Sequence, residues 1–409
     1  MAFLGKKKKS KNRSTTTEKN LKAQSAKKQI RYAVVGLGYI AQIAVLPAFK
    51  NAKKNSRLVA LVSDDEKKLT TLGKKYRIVL RSSYDEYDAL VRSKDIDAVY
   101  IALPNSMHMD FAVRALENGK HVLCEKPLAV TSHECKMMME AAERGNAKLM
   151  TAYRLHFEAA NLQAMEIVKS GKIGTPRIFN SLFSFQIKEE NIRLERRLGG
   201  GSVYDLGIYC INAARQVFQS EPEEVIATSA QNSDSRFSEV DEMTAATMVF
   251  PGGGLATFCS SFGAADSSMY EVIGTKGSLR MEPAYDYSEP LKMKVTVNGK
   301  TKEKKFKKMD QFAPELLYFS KCILEDREPE PSGREGLADV RIIQAIYESA
   351  KAGGTLRLAD FQKKERPTMA QVIERPAIKE PKLIRVTGPA QEPPKTASSN
   401  GHLPDWDMQ

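Results

Sequence analysis

The stretch Ile30-Arg-Tyr-Ala-Val-Val-Gly36-Leu-Gly38-Tyr-Ile-Ala41 decides the fold of this 409-residue chain. Its first part favours a strand, and the pattern G-x-G-x-x-A follows at the start of a helical stretch, 39–50. Gly36 permits a tight turn, Gly38 lets a pyrophosphate approach the backbone, and Ala41 keeps the helix close to the strand. Amides at the helix N-terminus would face the phosphates. The stretch therefore predicts the opening of a dinucleotide-binding domain.

Strands and helices alternate after this turn. Strands are predicted at 57–62, at 97–103, around Val122 and Leu123, and at 148–152, with helices at 109–118 and 131–145. Such alternation specifies a parallel, right-handed, doubly wound sheet, so the fold class is α/β. Ligands of such a sheet bind beyond the carboxyl ends of its strands.

One of these strands ends in Glu125-Lys126-Pro127. Proline cannot donate to a sheet ladder, and it biases the residue before it away from helix. Lys126 is therefore predicted where the strand stops, pointing towards the ligand-binding edge. We also predict that the Lys126–Pro127 bond is cis, a rare arrangement that marks a shaped site.

Beyond Tyr153 the pattern changes to alternating segments separated by glycine and proline, which predicts an α+β domain with a large, open-faced, mainly antiparallel sheet. The predicted strands are 176–187, 224–231, 243–250, 254–262, 269–274, 278–282 and 292–297, and the predicted helices are 158–170, 201–217, 311–325 and 334–352. The expected division of the chain is a basic disordered arm (1–28), a cofactor-binding domain (29–152), a second domain (153–358) and a Pro-rich extended tail (359–409).

The formal net charge of +13 is concentrated at one end of the chain. Residues 1–28 hold ten Lys/Arg and one Glu, so the remainder is only mildly basic. Beyond Phe3 this arm has no aromatic residue on which a base could stack, which argues against a nucleic-acid partner and favours a solvated arm.

Cysteine, histidine and hydropathy patterns exclude other classes. The five cysteines are scattered without a CxxC motif, which suits reduced thiols in a cytoplasmic protein. The five histidines show no metal-ligand spacing, so no metal is expected. No apolar run reaches the roughly 18 residues that a membrane span requires, and no apolar region of a signal peptide follows the lysines.

The end of the second strand bears on cofactor choice. The position that carries the ribose-binding acid of an NAD site falls on Ser63, and Lys67 and Lys68 follow one turn later. A hydroxyl with nearby cations would accept a 2′-phosphate, which favours NADP. Asp64 or Asp65 could instead bind the ribose if the register shifts by one, so NAD remains possible. A solvated helix face is the alternative for the two lysines.

The predicted helix 201–217 carries polar residues at helical spacing. Asp205, Tyr209 and Asn212 are separated by four and three residues, so they should share one face. A carboxylate, a phenol and an amide on one stripe are not a core pattern. The glycines at 199–201 would also let a ligand approach the start of the helix. An exposed polar face is the alternative.

Four motifs in this order resemble the Gfo/Idh/MocA oxidoreductase family, and most closely its glucose–fructose oxidoreductase branch. They are Gly36-Leu-Gly-Tyr-Ile-Ala41, Leu103-Pro-Asn-Ser-Met-His108, Glu125-Lys-Pro127 and the Gly-Gly-Gly-x-x-x-Asp-x-Gly-x-Tyr pattern of 199–209. The resemblance spans about residues 30–358. It implies a Rossmann domain, an open-faced sheet domain that often mediates homodimers or homotetramers, and hydride transfer between a nicotinamide and a sugar carbon.

The resemblance also assigns residues. The catalytic lysine and aspartate fall on Lys126 and Asp205, and Tyr209 stands where most members have histidine, as in the glucose–fructose branch. Tyr153 would join these three in contacting the substrate. The positions expected to bind the cofactor are Gly36, Gly38, Tyr39, Ile40, Ser63, Lys68, Tyr84, Leu103, Pro104, Asn105, His108, Glu125, Lys126 and Arg154.

These assignments predict an NADP-dependent oxidoreductase acting on an aldose such as glucose or xylose at C1. Tyr209 would be the general acid/base, and the Lys126 ammonium would favour its phenolate and donate to the sugar oxygen. A second sugar could reoxidise a cofactor that stays bound. A catalytically silent, NADP-responsive binding subunit is the alternative. The branch's best-known members carry a cleavable export signal, whereas here we expect a cytoplasmic protein.

Overall fold

The computed structural model describes residues 29–363 and 365–391. The predicted basic arm and the last part of the predicted tail, 392–409, lie outside the described residues. The described chain forms two sheets that share the helices packed around them, a parallel sheet first and a mixed sheet second.

The first sheet has six parallel strands. They are β1 (Ile30–Val35), β2 (Ser56–Val62), β3 (Leu80–Ser82), β4 (Ala98–Ile101), β5 (His121–Glu125) and β6 (Leu149–Ala152). Their spatial order is β3-β2-β1-β4-β5-β6, so the strand order reverses between β1 and β4. The predicted doubly wound α/β sheet is confirmed, and the reversal creates a crevice beyond the carboxyl ends of those two strands.

Helices cover both faces of this sheet. They are a π-helical segment (Ala41–Val45) that continues into α1 (Leu46–Ala48), then α2 (Glu66–Tyr76), α3 (Tyr87–Arg92), α4 (His108–Glu117) and α5 (Ser132–Arg144). Successive residues of a strand point to opposite faces, so Tyr32 and Val34 pack with the first helix while Ala33 and Val35 pack with α4 and α5.

Besides helix α3, whose six residues are too few to show a helical repeat, two features of this domain differ from the expectation. The stretch 39–50 is not one α-helix, because Pro47 has no amide to donate to a carbonyl four residues earlier, and the segment before it is π-helical. Strand β3 was not expected, since three residues at the edge of the sheet leave no periodic pattern to detect. Neither difference moves the glycine turn, which follows β1 directly.

Within the described residues, the second domain has nine strands and four helices. The strands are β7 (Pro176–Ser184), β8 (Glu224–Ala230), β9 (Met243–Phe250), β10 (Gly254–Ser261), β11 (Ser267–Gly274), β12 (Gly277–Met281), β13 (Lys292–Val297), β14 (Lys300–Lys305) and β15 (Leu356–Arg357). The helices are α6 (Ala159–Lys169), α7 (Ile208–Phe218), α8 (Ala313–Leu324) and α9 (Gly333–Ala352), and a π-helical turn (Val203–Gly207) precedes α7. Short 3-10 turns occur at Asn105–Met107, Arg154–His156, Ile192–Leu194, Arg196–Leu198, Ser235–Phe237 and Met369–Gln371.

The second sheet is antiparallel except for one central pair. Its order is β14-β13-β12-β11-β7-β10-β9-β8-β15, and β7 and β10 run parallel. One face packs on the helices, and the other is open. The edge strand β14 was not predicted, because all of its side chains are exposed and none is apolar. Within the two described ranges, no helix is both long and apolar enough to cross a membrane.

The described tail runs along both domains with almost no regular structure. Lys363 Nζ lies 2.8 Å from Glu335 Oε2, and Arg366 Nη2 lies 2.7 Å from Glu221 Oε1. Both tail cations therefore enter the interior of the second domain, so this part of the tail is held by buried charge pairs.

Arg215 is the centre of that charge network. Its side chain is fully buried, with Nη1 2.8 Å from Glu335 Oε1 and 2.6 Å from Asp339 Oδ1. Its Nε lies 2.7 Å from Glu221 Oε2. The network joins α7 to α9, and the guanidinium offsets the cost of burying the carboxylates, of which Glu335 and Glu221 also pair with Lys363 and Arg366.

Arg215→Ala should lower the free energy of unfolding by about 3–5 kcal/mol, because it removes the cation that three buried carboxylates share and leaves Asp339 with no ion-pair partner among the described residues. The control is Arg280→Ala, which removes a surface ion pair with Glu282 and should cost about 1 kcal/mol or less. Urea unfolding followed by circular dichroism measures both variants. Similar losses would show that the buried network contributes no more than a surface pair.

Candidate active site

One cavity of about 580 Å³ begins at the crevice of the first sheet and extends to the second domain. It brings together nearly all of the side chains that the sequence predicts for the site. The predicted residues that line it are Gly36, Gly38, Tyr39, Ile40, Ser63, Lys68, Tyr84, Leu103, Pro104, Asn105, His108, Glu125, Lys126, Arg154, Asp205 and Tyr209.

The glycine turn has the geometry that a pyrophosphate requires. Gly36 has φ +91°, and a Cβ there would lie 2.4 Å from the Ala102 carbonyl oxygen, so only glycine fits. A Cβ on Gly38 would meet no atom within 4 Å, so the backbone there is open to the cavity. The turn therefore fits the phosphates of a dinucleotide.

The far end of the cavity contains the residues considered for cofactor choice. Ser63 is the first residue after β2, and its Oγ accepts a hydrogen bond from the Asp65 amide at 3.1 Å. Asp64 accepts from the Tyr84 amide at 2.8 Å, and Asp65 accepts from the Lys68 amide at 3.1 Å as the N-cap of α2. Both acids are thus engaged by backbone amides, while Ser63 and Lys68 line the cavity. This arrangement fits a 2′-phosphate.

Lys126 links the two domains. The Lys126–Pro127 bond is cis, which confirms the prediction. The ammonium Nζ lies 2.9 Å from Asp205 Oδ1 and donates also to the Asp205 carbonyl at 2.8 Å. Burial alone would lower the pKa of Lys126, but Asp205 beside it holds that pKa above its ordinary value. Lys126 is therefore a fixed positive charge at the end of β5.

Asp205 is held by two cations. In addition to Lys126, Arg193 donates through Nε to Asp205 Oδ2 at 2.6 Å. Burial alone would raise the pKa of Asp205, but Arg193 and Lys126 hold it well below its ordinary value. Because one carboxylate serves two cations, an excess of positive charge remains at this part of the cavity.

Tyr209 lies against two cations. The centroid of its ring is 4.8 Å from Lys126 Nζ and 5.0 Å from Arg154 Cζ. Arg154 is itself buried and donates to Gln311 and to the Tyr285 carbonyl. Two positive charges therefore lie against the Tyr209 ring.

His108 connects the loop that follows β4 with the loop that follows β5. Its ring nitrogens lie 2.9 Å from the Pro127 carbonyl and 3.0 Å from the Leu103 carbonyl. Burial lowers the pKa of this histidine. Glu125 nearby accepts a hydrogen bond from the Tyr100 hydroxyl at 2.8 Å. These contacts fix the loops that present Lys126 to the cavity.

Two residues considered for the site are not brought to the main cavity. The Tyr153 hydroxyl donates to Asp339, and the Asn212 amide donates to Glu335 and Asp339 at 2.8 Å. Tyr153 and Asn212 instead line a second space of about 30 Å³ between α6 and α7, which Tyr209 also lines. Tyr153 therefore points away from the position expected for a substrate contact. Asn212 is turned towards α9, away from the main cavity that Asp205 lines.

Several residues that line the cavity were not predicted. Arg193 belongs to a 3-10 turn with no periodic pattern, although the cationic run before the triple glycine is a weak signal for it. Phe183 and Tyr285 pack against the Tyr209 ring from distant strands and loops. The tail residues that reach the cavity are Arg385, Val386, Thr387 and Pro389. All of them arrive through long-range contacts that no local motif encodes.

Two family models match the chain over more than half of its length. Residues 30–153 match an "Oxidoreductase family, NAD-binding Rossmann fold" model, and residues 161–280 match a "GFO/IDH/MocA C-terminal domain" model. The first match contains the glycine turn and Lys126. The second contains Asp205 and Tyr209, so both halves of the candidate site lie within the matched regions.

Individual relatives agree with these matches. A D-xylose 1-dehydrogenase [NADP(+)] from Haloarcula marismortui is 32% identical over 335 residues, which cover 80% of this chain and 93% of the relative. The crystal structure of an aldose-aldose oxidoreductase from Caulobacter crescentus complexed with glycerol is 38% identical with TM-score 0.78, covering 81% of this chain and 100% of that one. A 3-ketoreductase from Actinomadura kijaniata in complex with NADP and TDP-benzene is 26% identical with TM-score 0.71, covering 78% and 98%. The resemblance in the motifs is thus confirmed: the chain belongs to the Gfo/Idh/MocA family of oxidoreductases.

Proposed function

We propose that this protein is an NADP-dependent oxidoreductase that oxidises an aldose at C1 to the lactone. The observation that carries the proposal is the Lys126–Asp205 ion pair beside Tyr209, in the same cavity as the glycine turn. The matched relatives include a xylose dehydrogenase and an aldose-aldose oxidoreductase, which supports an aldose over other alcohols. Glucose and xylose are the first substrates to test.

The cavity residues divide into three groups along the proposed cofactor. The turn from Gly36 to Ile40 would hold the pyrophosphate, and Ser63 with Lys68 would hold the 2′-phosphate. Pro104, Asn105 and Glu125 would border the nicotinamide ribose. When bound, the cofactor supplies the acceptor for the hydride that leaves the sugar carbon. NADP is favoured over NAD because a hydroxyl and a cation occupy the position of the usual ribose-binding acid.

Proton removal is the task of the protein side chains. Tyr209 would take the proton of the C1 hydroxyl as general base, and the adjacent Lys126 and Arg154 would stabilise the phenolate. The Lys126 ammonium has three N–H donors, of which two meet Asp205, so the third is available to a sugar oxygen. Asp205 would orient Lys126 and the sugar. A complete set of these groups argues against a catalytically silent subunit.

We also propose that a second sugar can reoxidise the reduced cofactor within the same cavity. If the cofactor stays bound, a second aldose would take back the hydride and leave as the alcohol, so no free cofactor is consumed. The aldose-aldose oxidoreductase among the matched structures supports this reading. The reaction then requires only that the cavity accept both sugars in turn.

We also propose a homodimer or homotetramer formed through the open face of the second sheet. Leu255 pairs with Ile178 in register, and Ile178 pairs with Ile273, so three apolar side chains lie side by side on the open face. They are 44%, 40% and 37% exposed, respectively. Contiguous exposed apolar surface of this kind marks an interaction site.

We also propose that the protein is cytoplasmic. All five cysteines lie in the described part of the chain and are free thiols, and four of them are buried. Reduced thiols are typical of proteins in a reducing compartment.

Tyr209→Phe should reduce kcat for aldose oxidation by about 10²-fold or more, because it removes the proposed general base. Cofactor affinity should change little. Initial rates with xylose and glucose, together with fluorescence titration of NADPH, measure the two effects. The control is Tyr204→Phe on the same helical run, whose hydroxyl donates to the Val130 carbonyl outside the cavity. Near-normal turnover of Tyr209→Phe would refute the assignment.

Lys126→Ala should lose far more in kcat than in cofactor affinity, since it removes the donor to the sugar oxygen and the cation beside Tyr209. Lys120→Ala is a matched control, because Lys120 lies just before the other end of β5 and donates to the Ser93 and Ile96 carbonyls. The opposite result, weak cofactor binding with normal kcat, would make Lys126 only a cofactor contact.

Leu255→Lys should weaken self-association, because it places a charge in the apolar row of the open face. Light scattering after size-exclusion chromatography gives the mass of each variant. The control is Lys302→Glu on the exposed edge strand β14. An unchanged mass for Leu255→Lys would show that this part of the open face is not the interface.

A further inference from the structure

Residues 384–391 of the tail, here called the crossing segment, begin at the glycine turn of the first domain. Gln42, in the first helical turn after Gly38, is buried and donates through Nε2 to the Ile384 carbonyl at 3.0 Å. The Ile384 amide donates to Gln42 Oε1 at 2.8 Å. The same Nε2 also donates to the Leu37 carbonyl at 2.9 Å. One buried side chain thus holds both the phosphate-binding turn and the start of the crossing segment.

The crossing segment ends on the second domain. The Lys188 amide donates to the Pro389 carbonyl at 2.8 Å, and the Gln391 amide donates to the Gln186 carbonyl at 2.7 Å. Ile187 and Ala390 form an antiparallel bridge. The segment is therefore anchored on both sides of the cavity and lines it between the anchors.

The middle of the segment lies close to the cofactor end of the cavity. A Cβ built on Gly388 would lie 3.5 Å from the ring of Tyr39, which belongs to the glycine turn motif. Arg385 has φ 53°, a left-handed conformation that non-glycine residues seldom adopt. This turn places the Arg385 side chain beside the residues that were assigned to the 2′-phosphate.

Arg385 and Lys68 share one counter-ion. Arg385 Nη1 lies 3.2 Å from Asp65 Oδ1, and Lys68 Nζ lies 3.9 Å from Asp65 Oδ2. The Arg385 side chain is 58% exposed, and a surface pair of this kind contributes little to stability. Arg385 lines the same cavity as Ser63 and Lys68. A guanidinium has five N–H donors, so it can meet Asp65 and a phosphate together.

We propose that Arg385 is a third ligand of the 2′-phosphate, with Ser63 and Lys68, and that the crossing segment closes over the bound cofactor. The inference rests on the NADP dependence proposed above and adds a determinant from outside the Rossmann domain. Recognition of the 2′-phosphate would then be coupled to closure of the crossing segment, because Arg385 belongs to that segment and would contact the phosphate that distinguishes NADP from NAD. Slow release of NADP follows from that closure.

The crossing segment is not part of either family-model match, which end at residues 153 and 280. The relatives described above match over 93–100% of their own length, yet they cover only 78–81% of this chain. Ser63 and Lys68 belong to the Rossmann domain, whereas Arg385 reaches the same cavity from the tail. The segment therefore supplies an additional contact, and its effect should appear as selectivity and residence time.

The test is the binding of NADP+ and NAD+ to the full chain, measured by calorimetry, with release rates from displacement in a stopped-flow instrument. Arg385→Ala should raise the Kd for NADP+ by about tenfold or more, as expected for loss of a charged hydrogen bond, and that for NAD+ by less than about twofold. Release of NADP+ should accelerate in parallel. Arg375→Ala is the matched control, because this tail arginine donates to the Glu374 carbonyl and does not line the cavity.

Hydrogen exchange tests the closure of the crossing segment directly. Hydrogen exchange of residues 384–391 should slow more with NADP+ than with NAD+ at equal saturation, and Arg385→Ala should remove the difference. Equal effects of Arg385→Ala on both cofactors, or none on either, would overturn the inference while leaving the proposed function intact if the wild type still prefers NADP+. A wild type that prefers NAD+, or binds neither, would overturn both.

Discussion

The ion pair between Lys126 and Asp205 is the interaction on which the arrangement of the cavity depends. Lys126 directly follows β5 of the first sheet, and Asp205 lies in the π-helical turn before α7 of the second domain, so the pair joins the two halves of the cavity. A charge pair withdrawn from water is stable only when its hydrogen bonds are satisfied. Arg193 and the Asp205 carbonyl complete those bonds. The same contacts that join the two domains thus keep Lys126 charged and oriented.

The parts of the site that can be predicted from local sequence are those where the backbone conformation requires a particular residue type. The tight turn requires glycine at Gly36, and its φ of +91° agrees with that requirement. The strand ending at Glu125 is set by the apolar run before it and by Pro127 after it. Ser63 is the first residue after its strand, so its place at the ligand-binding edge of the sheet could be predicted from the strand alone. These positions depend on backbone conformation, which short patterns encode well.

Other parts depend on contacts between residues far apart in sequence. Tyr153 and Arg154 are neighbours, yet Arg154 reaches the cavity while Tyr153 turns to Asp339 beneath it, because adjacent residues at a strand end point in different directions. Arg193 lies in a 3-10 turn without a periodic sequence pattern, so its contact with Asp205 could not be predicted. The tail reads as proline-rich and extended, but Lys363 and Arg366 enter the buried charge network and Ile384 binds Gln42. The composition of such a tail predicts its extended conformation but not the residues that it contacts.

The edge strand β14 limits how the second sheet can grow. Four of its six residues are lysines, at 300, 302, 304 and 305, and every side chain is exposed. Lysines on an edge disfavour pairing with a strand of another chain, since the charges would be brought together and desolvated. At the opposite edge, β15 offers only two residues. Both edge strands of the nine-stranded sheet thus disfavour strand pairing with another chain. Identical chains could associate through the open face of the sheet without forming fibres.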